Sequence, residues 1–120
     1  MKTIVTFFIL SIASPVYAAD EWSRADLERE SAYMVLHTID WRQTRYGTKH
    51  PEQFAENNPI LGKYPSLKRV DTYFAATALL HVGAVHLMPE KWRPAFQYFW
   101  IVVEAGYVAN NYRIGVKVDL

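Results

Sequence analysis

The sequence predicts an all-α domain of three main helices, and three observations carry that prediction. Tyr73 to Met88 contains no acid, lysine or arginine. Ala95 to Ala109 holds only Gln97 and Glu104 as strongly polar residues. Before both, near residues 24–46, lies a segment whose apolar positions include Leu27, Met34, Leu36, Ile39 and Trp41, with charges crowded at its two ends. Between the first segment and the others, Pro51, Pro59 and Pro65 forbid a continuous helix.

The chain has 120 residues, enough for one domain. Residues 1–18 read as a secretory signal peptide. Lys2 supplies the positive start, Ile4 to Ala13 an apolar stretch, Pro15 a break, and Val16-Tyr17-Ala18 the small-x-small pattern for cleavage before Ala19. The alternative is an uncleaved anchor, but the apolar stretch is well short of the roughly twenty residues that span a bilayer. The expected mature domain is residues 19–120, exported to the bacterial periplasm or to the inner membrane facing it. It keeps twelve basic and twelve acidic residues, because residues 1–18 contain one lysine and no acid. Nucleic acid as a partner would call for a basic excess, and there is none. Zero cysteines exclude a disulfide framework.

Taken in order, Ser23 followed by Asp26 suits a helix N-cap with an acid at the third position. The first helix should run over about residues 24–46, with Gly47 as its C-cap. Residues 47–66 form a long connection, with one short turn over 52–56. Its Phe54, Ile60, Leu61 and Tyr64 predict a loop that packs. At its centre stands Glu56-Asn57-Asn58-Pro59-Ile60-Leu61-Gly62. This reads as a structural clasp, with Ile60 and Leu61 plugging the bundle and Glu56 or Asn58 bonding the first helix. Pro59 keeps Asn58 extended. Ser66 caps a second helix, about 67–87, which Pro89 ends. Pro94 suits the first turn of a third helix, about 94–112. The linker between them is short, so the two should be antiparallel neighbours. Residues 115–120 alternate and suit a short extended tail or a frayed end.

The second and third helices are apolar on most sides, which fits either a lipid-embedded hairpin or the centre of a soluble exported bundle. Tyr73, Phe74, Trp92, Tyr107 and Tyr112 sit where interfacial aromatics would favour the hairpin. His81, His86 and Glu104 argue against it, since ionisable groups at membrane depth need partners.

Each helix also carries a polar stripe. His37, Asp40 and Thr44 share one face; Tyr73, Thr77 and His81 share another; Gln97, Glu104 and Asn111 repeat by sevens. Imidazoles and carboxylates on facing helices are how bundles build metal sites, which makes His37, Asp40, His81 and Glu104 the candidate ligands. The Glu-x-x-His and His-Glu-x-x-His patterns are absent. The competing reading is a satisfied structural network of Asp40, Gln43, Thr44, Glu56, Asn58, Tyr73, His81, Glu104 and Asn111, with Glu104 paired to Arg42 or Arg45. No cofactor motif is present.

Asp40-Trp41-x-Gln43-Thr44, Glu56-x-Asn58-Pro59-Ile60-Leu61-Gly62, Val70-Asp71-x-Tyr73-Phe74, Glu104 and Asn110 together resemble short uncharacterised exported proteins of bacteria and bacteriophages. There is a more distant likeness to small bacterial membrane proteins with Asp-x-x-x-Thr and Glu-x-Asn-Pro. The resemblance implies a fold and an envelope location, and no reaction. The expectation is therefore a small non-enzymatic envelope protein working through contacts with membrane or with another envelope protein. The alternative is a metal-binding protein or enzyme built on Asp40, His81 and Glu104.

Overall fold

A computed structural model describes residues 19–120. The signal-peptide reading falls on residues 1–18, outside the described residues. The described chain is helical: α1 (Arg24–Lys49), α2 (Leu67–Leu87), a 3-10 turn (Glu90–Trp92) and α3 (Arg93–Arg113). No strand occurs among the described residues.

Local chemistry fixes the boundaries. The Ser23 hydroxyl accepts from the Asp26 NH while the Asp26 carboxylate accepts from the Ser23 NH, a reciprocal capping box. Ser66 caps α2 by accepting from the Arg69 NH. Pro94, in the first turn of α3, gives up an NH that has no intrahelical partner there. α1 runs through Gly47, which is not the C-cap; His50 is. Gly47 needs no positive φ. An added Cβ there would meet the Phe54 Cβ at 3.7 Å, so the helix continues beneath the loop. Residues 51–53 form only a turn, shorter than the one expected over 52–56.

The three helices run up, down and up. α1 is the hub and packs on both others, whereas α2 and α3 touch each other little beyond their linker. The loop seals one end. Leu61 is buried with Val70 and Phe74, flanked by Trp41 and Tyr73. Ile60 is 66% exposed, so only one of the two expected plugs enters. Gly62 turns the chain back with φ 83°.

The tail does not fray. Gly115 takes φ 92°, the Val116 NH bonds the Asn111 carbonyl, and Val116 is buried. The Asp119 carboxylate then pairs with Arg45 and Lys49. Charge pins the end that hydrophobic alternation alone left open.

Among the described residues, no helix is long and apolar enough to cross a membrane, which counts against a spanning form of the lipid-embedded hairpin, one of the two readings of α2 and α3. Their inward residues include His81, Gln97 and Glu104. Those break the apolar run that their outer faces present.

Candidate functional site

Polar side chains occupy the centre of the bundle. Of its six largest fully buried side chains, four are Arg93, Gln43, Gln97 and Asp26. The reason lies in the register of α1. Asp26, Glu30, Tyr33, His37, Asp40 and Thr44 follow one another by four, three, four, three and four residues, the spacing of a buried helix seam. All six are buried. A seam of this kind is usually apolar; here it is mostly ionisable.

At the lower end, where α1 begins, Arg93 is fully buried. Its Nη1 donates to Asp26 Oδ2 at 2.9 Å and to the Glu21 carbonyl. Its Nη2 donates to the Asp20 carbonyl and its Nε to the Val85 carbonyl. One guanidinium thus ties the residues before α1, α1 itself, α2 and α3 together. Arg29 pairs with the other oxygen of Asp26 and donates to Gln97 Oε1. Desolvation opposes ionisation of Asp26, but the Ser23 NH, the Ser23 hydroxyl and Arg93 outweigh it and hold the carboxyl below its ordinary value.

One turn further up, His81 Nδ1 meets Glu30 Oε2 at 2.7 Å, and Gln97 Nε2 donates to Glu30 Oε1. The Tyr33 ring lies flat on His81, with centroids 3.5 Å apart. Burial raises the Tyr33 phenol, with Glu104 and Glu30 adding to the effect, so it stays an O–H donor.

At mid-height three groups converge. His37 Nε2 lies 3.0 Å from the Phe74 carbonyl, and His37 Nδ1 lies 3.3 Å from Glu104 Oε1 and 3.3 Å from the Tyr33 hydroxyl. A carbonyl can only accept, so Nε2 carries a hydrogen there. That leaves Nδ1 free to accept from the Tyr33 hydroxyl. Above them, Asp40 accepts from Thr44 and from Asn111 Nδ2. Burial, and then the neighbouring Glu104 carboxylate, push the Asp40 carboxyl up to about 8. Glu56 adds to the push and Thr44 opposes it. Glu104 Oε2 is buried without a hydrogen-bond partner, as are His81 Nε2 and His86 Nε2. The arrangement therefore holds a proton on Asp40, beside the Glu104 carboxylate.

The candidate ligands do not assemble as one group. His37 and Glu104 meet, Asp40 adjoins them, and His81 is drawn to Glu30 instead. Among the described residues, no three histidine or acid side chains are placed to hold a metal ion. Glu104 does not pair with Arg42 or Arg45. Arg45 binds Asp71 and Asp119, and Arg42 lies over the Trp41 ring. Gln43 joins Asn111 and the Val108 carbonyl, so it belongs to the network at the top. The loop residues do not. Glu56 accepts from the NH groups of Asn57 and Asn58 within its own loop. Asn58 donates to the Tyr73 hydroxyl on α2 and accepts from the Ile60 NH. The hydrogen bonds of Glu56 and Asn58 therefore join the clasp to itself and to α2, not to α1 as expected, because the Asn58 turn projects its amide toward the start of α2, while Leu61 packs against Trp41 of α1.

Sequence reasoning missed Glu30, Tyr33, Arg29 and Arg93 as members. The signal for the first two was present, since they complete the four-three spacing that runs from Asp26 to Thr44. Arg93 looked like a linker charge because its partners lie in three separate segments: the residues before α1, α1 and α2.

No protein-family model matches this chain, and no curated protein or solved structure matches it.

Proposed function

We propose that this is a small envelope protein that acts without catalysis, docking on a lipid bilayer through the outer faces of its helices. The observation that carries this reading is the inverted distribution of polarity. Ionisable groups fill the seam, while large apolar side chains face outward: Leu80 is 71% exposed, Val102 70% and Phe99 60%. From residue 72 to 89 and from 94 to 112, the one charged side chain is Glu104, and it is buried. The exposed apolar residues are not gathered on one side, as a single protein partner would need. Val35 on α1, Leu79 and Leu80 on α2, and Phe99 and Val102 on α3 point away from a shared axis. A fluid apolar phase reaches all of these faces at once. The envelope address rests on the sequence pattern of residues 1–18.

Tryptophan fluorescence tests the reading, because all four tryptophans, at 22, 41, 92 and 100, lie beyond residue 18. With Trp22, Trp41 and Trp92 changed to phenylalanine, Trp100 on α3 reports alone. Vesicles of brominated phosphatidylcholine should quench it, and Leu80→Glu with Val102→Glu should abolish the quenching while leaving helix content unchanged. Unquenched Trp100 would overturn the reading.

One observation favours the alternative of a metal-binding protein or enzyme, the partnerless buried Glu104 Oε2. Stoichiometric metal in the purified protein, lost in Glu104→Gln, would establish it.

A further inference from the structure

The two ends of the bundle differ in charge. Residues 42–71 and 113–119, at the end where α1 stops and α2 starts, hold eight basic and four acidic residues, a net of +4. Residues 20–30 and 90–93, at the opposite end, hold four basic and six acidic residues, a net of −2. At the positive end, Asp71 and Asp119 are already engaged by Arg45 and Lys49. Among the described residues, Lys68 and Arg69 have no carboxylate partner, and both are exposed. They occupy the first turn of α2, which holds no acid. Cations there oppose the helix dipole, which favours anions at that position.

Beside them runs an open groove of about 430 Å³, with Ile60, Leu61, Tyr73 and Ala76 among its lining and Lys68 and Arg69 on its rim. The Arg69 Nη2 donates to the Ile60 carbonyl at 2.8 Å, which fixes the guanidinium over the groove's edge. Ala76 then passes the groove on to Leu80 and Leu87, spaced along the same exposed stripe of α2. A cationic rim thus opens onto an apolar track that leads into the charge-free part of the helix.

We propose that this groove takes one anionic phospholipid, with the phosphate held by Lys68 and Arg69 and an acyl chain laid along Leu61, Tyr73 and Ala76 toward Leu80. The inference rests on the docking reading above and adds to it a lipid class and an orientation, with the positive end at the headgroups.

Flotation of the full chain with vesicles tests it. Pure phosphatidylcholine is compared with phosphatidylcholine carrying about one third phosphatidylglycerol. The anionic vesicles should bind on the order of tenfold more tightly, with the preference fading as salt rises. Lys68→Glu with Arg69→Glu should remove that preference, while Lys91→Glu at the opposite end should leave it unchanged. Lys68→Gln with Arg69→Gln, a milder pair that gives up only the Arg69 bond to the Ile60 carbonyl, should reduce the preference with helix content unchanged. Residues 1–18 are common to every variant, so the differences report the groove. Equal binding to both vesicles, or a preference that survives both double variants, overturns the lipid-class inference and leaves docking standing. Failure to bind either vesicle overturns docking itself, and this inference with it.

Discussion

Asp26 and Asp40 lie two heptads apart on the inner face of α1, and both are buried. Their surroundings drive them in opposite directions. Asp26 is met by two arginines and by its own N-cap, and stays ionised. Asp40 is met by a hydroxyl, an amide and a second carboxylate, and holds its proton in neutral solution. The helix and the residue type are the same. What differs is which residue of α3 reaches across. At the bottom α3 offers Arg93, and at mid-height it offers Glu104. A buried carboxyl takes its charge from its partners, since burial alone disfavours ionisation at either site.

The largest effect should come from breaking the charged half of this pair. Arg93→Met removes the cation and leaves Asp26 buried beside Arg29 alone. It also strands the Val85, Glu21 and Asp20 carbonyls. A loss of about 3–5 kcal/mol is expected, the usual cost of removing one partner from a buried ion pair. Urea denaturation at pH 7 measures it. A loss below about 1 kcal/mol would show that Arg29 alone keeps Asp26 satisfied.

The protonated half should respond to pH with the opposite sign. The folded chain keeps the Asp40 proton up to about 8, whereas the unfolded chain releases it near 3.8. Between those values the folded state binds more protons, so this group's contribution to stability is full below the lower value. It declines as pH rises, by up to about 1.4 kcal/mol per pH unit, and levels off above the upper value. Asp40→Asn keeps an oxygen for Thr44 and Asn111 and cannot ionise. It should flatten that slope and make the variant the more stable protein at pH 8, with near equality at pH 4. A variant weaker than the parent at every pH would show that Asp40 is charged in the fold.

How much of this was legible in the sequence follows from the range of the interactions. Helix starts were legible because caps act within four residues, as at Ser23, Ser66 and Pro94, whereas α1 runs past the expected C-cap at Gly47 to Lys49. The inward direction of His37, Asp40 and Thr44 was legible too, because periodicity fixes which residues share a face. The pairing across helices was not. Spacing does not say how far α2 rotates about its axis, so His81 could equally face Glu104 or Glu30, and it faces Glu30. Arg93 shows the limit most clearly. Its partners at Asp20, Glu21, Asp26 and Val85 are contiguous only after all three helices have packed. The spanning hairpin failed for a related reason. Apolar outer faces dominate α2 and α3 when each is read alone, while the polar inner faces acquire meaning only against α1.

The smallest expected effect sharpens the comparison at its satisfied end. Ser23 serves two purposes. Its hydroxyl caps α1 through the Asp26 NH, and its NH and hydroxyl both help hold the Asp26 carboxyl below its ordinary value. Ser23→Ala removes the hydroxyl and keeps the NH. A loss of about 1 kcal/mol is expected at pH 7, typical of a lost N-cap. Part of that loss should depend on pH. The stability contributed by a depressed carboxyl is present above its unfolded value, 3.8, and disappears as pH falls through the folded one. With the hydroxyl gone the depression is smaller, so the gap between parent and variant should narrow in acid. Urea midpoints at pH 7 and pH 3 measure both parts. An equal gap at the two values would mean that Ser23 acts on the helix end alone. Arg93 and Arg29 would then account for the ionised state of Asp26 without its cap, and the contrast with Asp40 would reduce to the presence or absence of arginine.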